Sequence, residues 1–293
     1  MKKCPEPGVY EGIEPEEYFS WDAVSNSRLS LLNRSPKHYQ HGFTETTPAM
    51  RLGSLVHAGV LEPLAIIQRY VVMPDYSNHP DNKTAKGDRS FSSATGFVKQ
   101  MEEQFRHLNH DKEFVSQAEY DCMVGMARSL TENPSCADLF RNGKSEVSIV
   151  WEDESTGLRC KARADWISSG RMVDLKTTVD ASKFDRAIAN YGYHRQMAFY
   201  RSGFAYHGLD VTPWIVCIEK SAPYGCRAAA MGEDALQVGS TEVRALLGQL
   251  LDCMDRDSWP GYENPACWGL PGWYGERSED AVELVIGGEV VSV

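Results

Sequence analysis

The chain has 293 residues, 42% of them apolar and 24% charged, which are the proportions of a globular protein with ample core. A formal net charge of −11 argues against a body that grips nucleic acid over its whole surface, because phosphate contacts want Lys and Arg, but it leaves room for a local basic channel. No apolar run approaches the ~20 residues that span a bilayer, and Met1–Pro7 leads into no apolar stretch of the signal-peptide kind. A cytoplasmic protein with no membrane partner is therefore expected. The 8 cysteines include no C-x-x-C pair, so reduced thiols are expected rather than zinc or iron–sulfur ligands.

Residues 1–24 are polar, with Tyr18, Phe19 and Trp21 as anchors, and read as an N-terminal segment that packs on the domain. Ser25, Asn26 and Ser27 cap a helix from Arg28 to Asn33, and Ser35-Pro36 opens another. Met50–Glu62 is helical, with Leu52, Leu55, Val56, Gly59 and Val60 as its apolar stripe. His57 stands one position beyond that stripe, where a histidine is more often packed than ligating. Leu64–Pro74 reads as a run into a strand at Arg69–Met73. Residues 75–93 form a long polar loop whose Lys83, Lys86 and Arg89 suit a phosphate-tracking flap, or a merely solvated one.

Two helices follow, Ala94–Asp111 and Ser116–Thr131, the second with a capping box at Ser116 and Glu119. After a short helix at Ser135–Phe140, Ser145–Trp151 alternates as a strand, with Glu146, Ser148 and Val150 on one face. A turn at Asp153–Gly157 and another at Ser168–Arg171 mark off two more strands. Asp180–Ala189 is helical, Asn190–Gly192 interrupts, and Tyr193–Tyr206 resumes, with Tyr193, Gln196, Met197 and Tyr200 on one face. Strands at Thr212–Glu219 and Cys226–Met231 precede a long helix, Glu233–Asp257. Residues 259–293 read as a surface tail ending in a strand-like run from Val282. The expectation is one α/β domain over residues 1–293, a central mixed β-sheet flanked by helices, with residues 145–206 as its chemical core.

The chemistry concentrates on the two strands between Arg159 and Thr177. Alternation puts Arg159, Lys161, Arg163 and Asp165 on one face of the first, and Met172, Asp174 and Lys176 on one face of the second. Folded together, they can bring Asp165 and Asp174 close, with Lys176 beside them. Two carboxylates to share a hard divalent cation, plus a lysine, equip a site for metal-assisted phosphodiester hydrolysis. A surface hairpin with ordinary ion pairs fits the same triplet.

The order Arg163-x-Asp165, Asp174-Leu175-Lys176-Thr177, then Gln196-x-x-x-Tyr200, preceded by Gly53–Pro63 and Ser145–Ile167, resembles the PD-(D/E)xK nuclease superfamily with its restriction-endonuclease-like core. Most of residues 25–275 are similar to the RecE-type (exonuclease VIII) enzymes of phage recombination. Alanine at position 164 stands where the superfamily name has proline. The resemblance implies that Asp165, Asp174, the Leu175 carbonyl, Glu146 and His57 hold one or two Mg²⁺ ions, with Mn²⁺ as substitute. It implies that Lys176 orients the attacking water and that Gln196 and Tyr200 contact DNA or support the lysine. It also implies a bacterial, phage-encoded 5′→3′ exonuclease on double-stranded DNA ends, leaving 3′ overhangs. A homo-oligomeric ring, trimer or tetramer, and a single-strand annealing partner would accompany it. Ser27 and Arg28, at a helix start that favours anions, would meet the 5′-phosphate, and Arg159, Lys161 and Arg163 would lead the backbone inward. The alternatives are an endonuclease or CRISPR-adaptation-type exonuclease of the same fold, or a DNA-binding module with an inactive site.

Overall fold

Runs of alternating side chains become the strands, and stripes at helical spacing become the layers over them. The computed structural model describes residues 3–42, 47–264, 267, 269, 283–286 and 289–292. These fall into two units, Met1–Trp259 and Pro260–Val293. The first unit begins with β1 (Gly8–Tyr10) and helices α1 (Pro15–Ser20), α2 (Asn26–Arg34), α3 (Pro36–His41), α4 (Pro48–Leu61) and α5 (Pro63–Arg69). Then come β2 (Tyr70–Val72), α6 (Gly96–Leu108), β3 (Glu113–Val115), α7 (Gln117–Glu132), α8 (Pro134–Ala137), β4 (Lys144–Glu152), β5 (Arg159–Ser168) and β6 (Arg171–Thr178). It closes with α9 (Phe184–Tyr191), α10 (Tyr193–Tyr206), β7 (Thr212–Glu219), β8 (Cys226–Ala230) and α11 (Glu233–Arg256). In the second unit β9 (Glu283–Ile286) pairs antiparallel with β10 (Glu289–Ser292). The rest of the expected tail lies mostly outside the described residues.

Six strands form one mixed sheet in the order β1-β4-β5-β6-β7-β8, antiparallel throughout except for the parallel pair β6–β7. One face packs against α2, α9, α10 and α11 through residues such as Leu29, Phe199, Phe204 and Leu250. The other packs β6 and β7 against α4 and α7 through Leu55, Val56, Met126, Val173 and Leu175. Close approach fixes a small residue where α11 crosses α10: a Cβ on Gly239 would stand 2.5 Å from the His194 carbonyl oxygen. Gly192, at φ +66°, makes the left-handed break between α9 and α10.

Two expectations are corrected. Residues 63–69 are a helix, α5, with Pro63 in its first turn, where proline is pre-organised; the strand is only Tyr70–Val72, paired in parallel with β3. The N-terminal segment is also more than a packed lead-in. β1 adds a sheet strand against β4, and Tyr18 and Trp21 bury against Val150.

Candidate active site

The site grows from a break in the sheet. In the β4–β5 register, Ser145 faces Trp166 and Val147 faces Ala164, so Glu146 and Asp165 stand opposite each other. Neither joins the ladder, and Glu146 has φ +53°, a left-handed conformation that a glutamate adopts only where its surroundings impose it. The alternation of β5 rolls over here. Ala164 lies in the core beneath α10, whereas Trp166, two residues on, packs in the core beneath α4 and α7. β5 and β6 then part: the last paired residues are Trp166 and Val173. Beyond them Asp165 and Asp174 continue the register, so Glu146, Asp165 and Asp174 form one row across three strands. Facing like charges destabilise a sheet, and a bound cation removes that cost.

The fork between β5 and β6 collects the remaining groups. Asp165 Oδ2 accepts the Leu175 N–H at 2.7 Å. From α4, His57 Nε2 lies 2.7 Å from the Leu175 carbonyl oxygen. Donation from Nε2 turns the Nδ1 lone pair toward Asp165 Oδ2, 3.6 Å away. A histidine whose other nitrogen is held by a carbonyl is oriented as metal-ligating histidines are. One ligand atom each from His57, Glu146 and Asp165 falls within 4.8 Å of the others. This donor set of one imidazole and two carboxylates fits a divalent cation.

Asp174, to which the resemblance gives a ligand role, stands beside this cluster with both oxygens in contact with side chains. Its Oδ1 accepts from Gln196 Nε2 at 2.7 Å and its Oδ2 pairs with Lys176 Nζ at 2.5 Å. The Leu175 carbonyl likewise serves His57. Gln196 is buried and supports Asp174 from below, with Tyr200 on the next turn of α10. Tyr193, which composition alone does not single out, brings its ring 5.0 Å under Lys176 Nζ.

Electrostatics follow from burial. Asp165 is pushed up to about 8, by burial and then by Asp174. Glu146 is pushed up to about 7, by burial and then by Asp165, with Arg163 opposing. His57 is lowered by burial and by Lys176, which favours the neutral, ligating form. For Lys176, burial disfavours the ammonium, but Asp174 and Asp165 outweigh it and the pKa is raised.

The expectation that Arg159, Lys161 and Arg163 lead a backbone into the cleft is corrected. The N-terminal segment covers their face. Lys161 is buried and donates to the carbonyls of Tyr18 and Trp21 at 2.8 and 2.7 Å. Arg159 donates to the Pro5 carbonyl at 2.8 Å. Arg163 pairs with Glu146 at 2.6 Å. The backbone carbonyls they bind in the N-terminal segment lie over 130 residues away in sequence, beyond the reach of any local pattern.

Ser27 and Arg28 do sit at the start of α2, where Ser25 Oγ accepts the Arg28 N–H at 3.4 Å. The Arg28 guanidinium lies 4.0 Å over Tyr39. No contact among the described residues joins this turn to the metal-ligating cluster. Lys83, Lys86 and Arg89 are exposed on the 75–93 loop. That loop is pinned by buried Asn82, which donates to the Ser77 and Ser92 carbonyls and accepts from Thr95.

Comparison with solved structures finds the same fold in a candidate exonuclease from Eubacterium rectale, 15% identical, covering 88% of this chain and 97% of that one at a TM-score of 0.55. An alkaline exonuclease from Laribacter hongkongensis, LHK-Exo, matches at 15% identity over 70% of this chain and 97% of that one, with a TM-score of only 0.24. No curated protein sequence matches. The family model described as a PDDEXK-like domain of unknown function (DUF3799) matches residues 23–268. The chain therefore belongs to this PDDEXK-like family and carries the equipment of a metal-dependent nuclease.

Proposed function

We propose that the protein is a Mg²⁺-dependent exonuclease that degrades one strand of linear double-stranded DNA from its 5′ end, leaving 3′ overhangs for recombination by strand annealing. The observation that carries the reading is the row Glu146, Asp165, Asp174, with His57 above the fork and Lys176 paired to its last member. His57 Nδ1, Glu146 and Asp165 would hold the ion. A bound divalent ion supplies charge neutralisation at a phosphodiester and lowers the pKa of a water.

The chain's own groups divide the rest of the work. Asp174 keeps Lys176 charged and fixed, so the lysine serves as a charge stabiliser and water-orienting donor rather than a base. Gln196 holds Asp174 in turn. The basic residues of the 75–93 loop and the α2 turn with Ser27 and Arg28 would meet DNA, whereas β5's cations are engaged. A ring of three or four copies would keep the enzyme on its substrate, and a single-strand annealing protein would receive the overhang.

Linear duplex labelled at either the 5′ or the 3′ terminus, and a closed circle of the same sequence, test this directly. Early release of the 5′ label, late release of the 3′ label and an intact circle are expected. Cleavage of the circle at the rate of the linear form would make the enzyme an endonuclease instead.

A further inference from the structure

Glu146 is the strained member of the cluster, and it is held by the arginine of the Arg163-x-Asp165 stretch. Arg163, two residues before Asp165, places Nε 2.6 Å from Glu146 Oε2. The same guanidinium donates from Nη2 to the Ile13 carbonyl at 2.8 Å and lies 5.5 Å over the Tyr18 ring. Its side chain is 11% exposed. Tyr18 in turn is buried and its carbonyl takes the Lys161 ammonium. One planar fork thus joins three things: a metal-site carboxylate on β4, the backbone of the N-terminal segment, and an aromatic face.

We infer that Arg163 is a positioning residue that holds Glu146 as a metal ligand, and that residues 10–21 form the buttress against which it does so. The inference rests on the metal-site reading above. A carboxylate has two oxygens, and pairing Oε2 to Arg163 leaves Oε1 for an ion. At φ +53° Glu146 is in a conformation its backbone does not favour. Without the tether its side chain is free to swing, and outer partners of this kind set ligand orientation and affinity. The geometry suits arginine and not lysine, because a guanidinium holds two nitrogens at a fixed angle, one in ion contact with Glu146 and one donating to the Ile13 carbonyl.

Mn²⁺ titration followed by electron paramagnetic resonance of the free ion, with no DNA present, tests this. The proteins are wild type, Arg163→Gln, Arg163→Lys, Glu146→Gln and the Arg163→Gln/Glu146→Gln double variant, each checked for folding by circular dichroism. Arg163→Gln is expected to bind Mn²⁺ about tenfold more weakly. Arg163→Lys should also be weakened, by several-fold. In the Glu146→Gln background the Arg163 substitution should have no further effect, since it acts through Glu146. Wild-type affinity in a folded Arg163→Gln or Arg163→Lys chain overturns the inference, as does an undiminished effect in the Glu146→Gln background. If Arg163→Gln does not fold, Arg163→Lys decides alone. Failure of the wild type to bind Mn²⁺ overturns the metal reading itself, and is distinguishable from both.

Discussion

Gln196 donates from Nε2 to Asp174 Oδ1 at 2.7 Å, inside the protein, and this bond ties α10 to the candidate site. It orients the carboxylate whose other oxygen holds Lys176. Gln196→Ala leaves a buried acceptor with one partner fewer. A loss of about 1–3 kcal/mol in stability is expected, together with slower turnover. Urea denaturation measures the first and single-turnover digestion the second. Unchanged turnover in a destabilised variant would reduce Gln196 to a packing residue.

Lys176→Ala is expected to lower turnover by about 10²–10³, the scale for removing one charge-stabilising donor. Mn²⁺ affinity should not fall, because Lys176 is a cation beside the cluster rather than a ligand. Weaker Mn²⁺ binding by this variant would contradict the division of roles between Lys176 and the His57, Glu146 and Asp165 cluster.

The pH dependence has a definite sign. Asp165 and Glu146 are raised to about 8 and about 7, each by burial first and a neighbouring carboxylate second. The folded, metal-free chain therefore keeps protons that the unfolded chain releases near pH ~4. More protons are bound in the native state, so stability falls as pH rises from about 4 through about 8. An ion must displace those protons to bind. Mg²⁺ should thus raise the melting temperature more at about pH 8 than at about pH 6, and calorimetry in two buffers should show proton release. An equal shift at both pH values would mean that these carboxyls are already ionised.

Lys161 separates a structural cation from a DNA contact. Lys161→Met removes two donors from the carbonyls of Tyr18 and Trp21. Hydrogen bonds to charged groups contribute about 1.5–3 kcal/mol each, so a loss of at least about 2 kcal/mol is expected by chemical denaturation. The salt dependence of DNA binding should keep its slope, whereas a lost phosphate contact would reduce it by about one. A reduced slope would return Lys161 to the DNA path.

Local pattern made much of this molecule legible. β7 and α10 have the bounds their periodicity predicts, Thr212–Glu219 and Tyr193–Tyr206. The capping box at Ser116 and Glu119 forms with both of its bonds. The hairpin that pairs Trp166 with Val173 brings Asp165 and Asp174 to one fork, where Asp165 accepts the Leu175 N–H. What eluded the sequence is non-local or irregular. β1 is three residues long and is a strand only because β4 is there to pair with it. The cations of β5 also bind carbonyls of the N-terminal segment, at separations no periodicity encodes. Strict alternation fails at Glu146 and Asp165, where one positive φ rolls the strand pair over; extrapolating the face from Arg159 to Asp165 therefore put the cations on the wrong side. His57 stood outside its helix's apolar stripe because it serves the fork between β5 and β6 and not the core.

Digestion of end-labelled linear duplex with and without Mg²⁺, by wild type and by Asp165→Asn, tests the central claim most directly. Asp165 both belongs to the candidate metal cluster and receives the Leu175 N–H across the fork, and asparagine keeps the shape while removing the charge. The account predicts Mg²⁺-dependent loss of duplex by the wild type and none by a folded Asp165→Asn chain. Equal digestion by both, or digestion by the wild type in excess chelator, would contradict it.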